Sequence, residues 1–148
     1  MSSPYPEGVP ASGATGGKTS FMGLDSNVAA MLCYIANFLC CIGLVLAIVF
    51  LITEKENRFV KFHAVQSLFL IALQLVVGFI VNVLFLVVSL ALDLVHMGWA
   101  GGLLVLGLRI ILLLIFVILW IIAGVKAFGG QWYKLPIIGE FAWKTVNK

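Results

Sequence analysis

Charge is what this chain has least of. Only 10% of its 148 residues are Asp, Glu, Lys or Arg, and 63% are hydrophobic, with mean hydropathy +1.18. Ordinary soluble domains carry about a quarter charged residues. So sparse a set cannot cover a water-facing surface, which excludes a soluble globular domain and leaves hydrocarbon as the main solvent. The formal net charge of +3 is too small to argue for a nucleic-acid partner.

Cysteine is also scarce. Cys33, Cys40 and Cys41 all lie inside one apolar run. Their odd number and lack of an extracellular framework exclude a disulfide scaffold. No C-x-x-C or Cys/His pair has zinc spacing, so they read as small apolar packing residues, and no metal or cofactor is expected. No nucleophile elbow, carboxylate pair or phosphate loop is present, and the expectation is a protein that is not an enzyme. Asp93 and His96, three apart, are too little by themselves. The chain also lacks a basic n-region before its first apolar run, a second-position glycine and an Arg-rich amphipathic start. Signal peptide, myristoylation and transit peptide are therefore not expected.

What is present is apolar helix pattern. Residues 1–26 are rich in Gly, Ser, Pro, Thr and Ala, and read as a disordered tail that buries too little to offset its ordering entropy. Residues 27–128 read as an all-α membrane domain with three transmembrane helices at about 27–52, 64–92 and 103–128. At about 1.5 Å per residue each is long enough for a core of about 30 Å. In the first span, Ala30, Cys33, Asn37, Cys40, Cys41 and Ala47 fall on one stripe, as expected where a neighbouring helix packs closely. In the second, Ser67, Gln74, Gly78, Asn82, Ser89 and Asp93 share a face, the expected bundle interior. Gly129 and Gly130 end the third span. Residues 129–148 read as an interfacial segment with Pro136 in the first turn of a short helix.

Orientation follows from the basic residues. Lys55, Arg58 and Lys61 in the loop after the first span share a side with Lys126, Lys134, Lys144 and Lys148 at the end. Three crossings then place the N-terminus outside and the C-terminus in the cytoplasm of a plasma (inner) membrane.

Arg109 is the sharpest residue, because a centrally placed arginine costs about 2.5–3.5 kcal/mol on translocon scales. Antiparallel threading gives it the depth of Asn37 and Asn82. With Gln74 these form an expected intramembrane polar cluster, read either as a clasp joining helices or as an anion, lipid-headgroup or substrate site. Lys55, Arg58, Lys61, His63 and Lys134 form a second set, placed at the cytoplasmic headgroups or a docking surface.

Two blocks, E-K-E-N-R-F-V-K-F-H-A-V-Q-S (residues 54–67) and W-Y-K-L-P-I-I-G-E-F-A (residues 132–142), resemble a family of small uncharacterised membrane proteins. That family is grouped with the twenty-kilodalton import component of the chloroplast inner envelope (Tic complex). The resemblance covers about residues 28–145 and implies an integral membrane protein of a multisubunit assembly related to protein translocation. The expected function is thus a non-enzymatic subunit or accessory factor of a membrane complex. Its partners are the lipid bilayer and other membrane proteins or further copies of itself. The alternative is a small oligomeric transporter or channel-like protein whose pathway is lined by Gln74, Asn82 and Arg109.

Overall fold

The computed structural model describes residues 17–20, 22–39, 41–54, 57–94, 96 and 98–146, with the side chains of residues 38, 39 and 41 left aside. Among these residues the secondary structure is helical, with one isolated bridge between Lys18 and Asp25. The helices are α1 (Ser26–Ile35), a 3-10 turn (Ala36–Leu39), α2 (Cys41–Thr53), α3 (Arg58–Asp93), α4 (Gly98–Phe128) and α5 (Ile138–Val146). Two of them, α3 with 36 residues and α4 with 31, are long and apolar enough to cross a membrane. The chain divides into two compact units, Met1–Leu70 with Leu119–Lys148, and Ile71–Ile118.

The first unit corrects the sequence expectation for residues 27–52. That run is not one helix. It breaks at the Ala36–Leu39 turn, and α2 folds back on α1. The two ends of the resulting hairpin meet, because Asn57, just after α2, donates its side-chain amide to the Ser26 hydroxyl at 2.5 Å, where α1 begins. Small residues let the two helices approach: Ala29, Ala30 and Cys33 on α1, Ala36 in the turn and Ala47 on α2 are all buried. Gly43 marks the tightest place. A Cβ there would collide with the Asn37 side chain and lie 2.7 Å from the Ala36 carbonyl carbon. Ten residues of α1 rise only about 15 Å, half a bilayer core.

The segment before α1 also departs from expectation. Residues 17–20 and 22–25, assigned to the disordered tail, are tied back on themselves: Thr19 N–H donates to Leu24 O at 2.7 Å and Ser26 N–H to Gly17 O at 3.0 Å. The remainder of that tail, residues 1–16 and 21, lies outside the described residues. Asn57 Oδ1 accepts from Val60 N–H and so caps α3 at its first turn. Charged residues from Arg58 to Lys61 thereby become the start of α3 rather than a loop.

Beyond α4 the chain turns at Gly129 and Gly130, the second at φ 69°, as the glycine pair requires. The segment 131–137 then leads into α5, whose Ala142 packs on Phe62 and Val65 of α3. Leu51, Trp132, Trp143 and Val146 close this small core. The final segment is thus docked onto α3 rather than lying loose.

In the second unit α3 and α4 run antiparallel. Asn82 meets Arg109, and the Leu92 side chain lies where a Cβ on Gly101 would point. Their apolar side chains face outward on several sides, with Leu75 68% and Phe79 70% exposed. A helix apolar all round suits lipid, not water.

Candidate functional site

Two polar clusters stand out, one in each unit. The first centres on His63, in the second turn of α3. It is fully buried, as are Tyr34 and Gln66. Its Nε2 lies 3.1 Å from the Gln131 carbonyl, which can only accept, so this nitrogen carries the proton. Its Nδ1 is then the acceptor, and the Tyr34 hydroxyl donates to it at 3.0 Å. The Tyr34 oxygen in turn accepts from Gln66 Nε2 at 3.0 Å, and the second proton of that amide goes to the Tyr133 carbonyl at 3.1 Å. Gln66 Oε1 faces the Leu135 N–H at 3.4 Å.

Every donor in this chain of bonds has one direction, and three stretches of backbone are tied together by it: α1, α3 and the segment 131–135. Buried polar groups are tolerated when satisfied in this way. Around the imidazole stand Phe59, Phe62 and Tyr34, edge-on at centroid distances of 4.6, 5.1 and 5.8 Å. Trp132 and Trp143 pack beyond them. Lys134 lies over the Trp143 ring at 4.9 Å and pairs with Glu140 at 3.1 Å.

This arrangement corrects one expected site residue. His63 offers its side chain neither to headgroups nor to a docking partner, because it has no exposed area. Arg58 is exposed, Lys61 and Lys134 are half-buried, and Lys55 lies outside the described residues. Tyr34 was missed by the sequence reading, as was the role of Gln66. Tyr34 lies outside both blocks singled out in the sequence; Gln66 lies in the first, which proves to face the W-Y-K-L-P block in space.

The second cluster lies in the second unit. Asn82 Nδ2 donates to Gly78 O at 2.7 Å, one turn back on α3, and its Oδ1 accepts from the Arg109 guanidinium on α4. The pair borders a cleft of about 400 Å³ whose other walls include Gln74, Leu75, Phe79, Leu112 and Phe116. Three of the four expected cluster residues therefore line one cleft. Asn37 does not belong with them. It falls in the first unit, at the hairpin turn, where its amide donates to Cys33 O at 3.1 Å. The face carrying Gln74, Gly78 and Asn82 is partly or fully exposed, and so is not a packed interior within this chain.

Cys33 is buried and donates to Ala29 O at 3.4 Å, a packing role; Cys40 and the Cys41 side chain lie outside the described residues. No group of three or more His, Cys, Asp or Glu able to hold a metal occurs among the described residues.

The family described as the magnetosome magnetite crystal formation protein family matches residues 25–142. A UPF0132 membrane protein of Methanocaldococcus jannaschii is 39% identical over 126 residues, covering 85% of this chain and 92% of the relative. A UPF0132 membrane protein of Archaeoglobus fulgidus is 34% identical over 124 residues, 84% of this chain and 98% of the relative. No solved structure matches. These findings overturn the resemblance to the chloroplast import component: the two blocks that suggested it fall inside the matched region, and nothing in the relatives points to a plastid or to protein translocation. This is an integral membrane protein, and it belongs to the magnetosome magnetite crystal formation protein family.

Proposed function

We propose that this protein is a non-enzymatic accessory subunit of a membrane assembly, engaged from the cytoplasmic side of a plasma (inner) membrane through its first unit. The observation that carries this reading is the hydrogen-bonded clasp of Tyr34, His63 and Gln66 on the Gln131 and Tyr133 carbonyls. It holds the re-entrant hairpin, the start of α3 and the final segment in one folded body. That body displays Lys18, Arg58 and Lys144 as exposed cations. Cytoplasmic flanks attract such residues.

With α1 and α2 returning to their starting side, the N-terminal segment shares a side with the C-terminal one. The reading adopts two crossings in place of the three with the N-terminus outside, with Lys18 on the same side as the other basic residues. The family's description, magnetosome magnetite crystal formation, is compatible with an accessory role of this kind.

Site-specific photo-crosslinking in native membranes tests the reading. Probes at Arg58 and Lys144 are expected to trap one heterologous membrane partner, and the adduct is expected to vanish with Arg58→Glu. Self-adducts at Gln74 combined with ion flux in proteoliposomes would instead establish the channel-like alternative.

A further inference from the structure

Arg109 and Lys126 bracket the apolar run of sixteen residues from Ile110 to Val125 on α4. Such a run rises about 24 Å, somewhat less than a bilayer core of about 30 Å. Arginine and lysine at the two ends of a short span extend outward to the headgroups. α4 itself begins only eleven residues before Arg109, at Gly98, so snorkelling would carry the guanidinium toward the headgroups of the leaflet opposite Lys126.

Its surroundings in the second unit fit that position. The guanidinium has five N–H donors, and Asn82 Oδ1 accepts from one of its nitrogens. Asn82 is itself held by its bond to Gly78 O, so the carboxamide cannot turn to offer more. Among the described residues no carboxylate pairs with Arg109, and the side chain is exposed.

The cleft beside it is amphiphilic. Arg109 and Asn82 form a polar part, and Leu75, Leu112, Leu113 and Phe116 form apolar walls. Gly78 keeps the floor open, with nothing within 4 Å of where a Cβ would stand. A second copy docked symmetrically here would bring its own Arg109 to the same place, adding repulsion where neutralisation is needed. The charge and the shape together call for an anion with a hydrocarbon tail.

We propose that this cleft is a binding site for one phosphate-bearing membrane lipid. The phosphodiester is held by Arg109, oriented by Asn82, and a hydrocarbon tail lies over Gly78 against Leu112 and Phe116. Guanidinium and phosphate match as a forked donor and a multi-oxygen acceptor. The site is independent of the cytoplasmic docking surface, since all its residues belong to the second unit.

The test uses the full chain purified in detergent and titrated with phosphatidylglycerol or with diacylglycerol, which lacks the phosphate, with bound lipid counted by native mass spectrometry. Wild type is expected to retain phosphatidylglycerol and not diacylglycerol. Arg109→Gln is expected to weaken retention about tenfold or more, as loss of a charge-assisted contact implies. Gly78→Leu fills the floor without altering charge and is expected to do the same, while Arg109→Lys retains an intermediate share. Lipid-dependent protection against heating, present in wild type and absent in Gly78→Leu, separates loss of the site from loss of folding. Unchanged retention in both Arg109→Gln and Gly78→Leu would overturn the proposal. So would equal retention of diacylglycerol, or displacement of the lipid by millimolar inorganic phosphate, which would mark a site for the free ion.

Discussion

The Tyr34 hydroxyl donates to His63 Nδ1 at 3.0 Å while the far side of the same imidazole donates to the Gln131 carbonyl at 3.1 Å. Through that one ring, α1 is linked to the segment after α4, ninety-seven positions later in the chain. Removing the hydroxyl leaves a buried imidazole nitrogen without a donor. Tyr34→Phe is therefore expected to lower stability by about 1–3 kcal/mol. Denaturation in mild detergent, followed by tryptophan fluorescence of Trp132 and Trp143, measures it. Combining Tyr34→Phe with Gln66→Leu should cost less than the sum of the single changes, because both break one network.

Gly43 controls the hairpin. A Cβ at this position meets the Asn37 side chain and also the backbone at Ala36. Gly43→Ala is expected to destabilise by about 1–3 kcal/mol, the usual cost of forcing atoms into a packed place. Asn37→Ala in addition should not restore stability, since the backbone contact remains. Full recovery by that second change would show that only the side chain matters.

Topology gives a third outcome. With the native cysteines replaced by alanine, Ser20→Cys and Thr145→Cys are expected to react with an impermeant thiol reagent from the same side, and Trp99→Cys from the other. All three sites are exposed in the fold. Labelling of Ser20→Cys from the Trp99 side would mean that the first apolar run crosses.

Ile137 sits at φ 66°, a conformation that β-branched residues rarely adopt, and it is 79% exposed. Little packing is lost by replacing it, and glycine accepts this backbone freely. Ile137→Gly is expected to raise stability by about 1 kcal/mol, read as a higher melting temperature. A fall would mean that the exposed side chain is anchored in lipid.

Much of the helical pattern was legible in the residue order. The two long apolar runs became α3 and α4, and Gly129 with Gly130 ends α4 as the glycine pair implies. Counting depth along antiparallel helices set Arg109 level with both Asn82 and Asn37; Arg109 hydrogen-bonds Asn82, whereas Asn37 falls in the first unit. The break in residues 27–52 did not. That run is long enough to span and almost uniformly apolar, so periodicity and length both favour one helix. What bends it is the fit of Gly43 against Asn37 and the meeting of Ser26 with Asn57, contacts that exist only once the hairpin has formed. His63 was misplaced for a related reason. It was grouped with its basic neighbours Arg58 and Lys61, whereas its hydrogen-bond partners are Tyr34 and a backbone carbonyl 68 residues away, and main-chain acceptors leave no mark in a sequence.

The hairpin has one more consequence. In the two-crossing arrangement proposed above, α1 and α2 enter the bilayer and return to the side they came from. The described chain then offers the far compartment little beyond the four-residue connection between α3 and α4. A soluble molecule there would find almost no surface to grip, whereas lipids and the near side would meet most of the molecule.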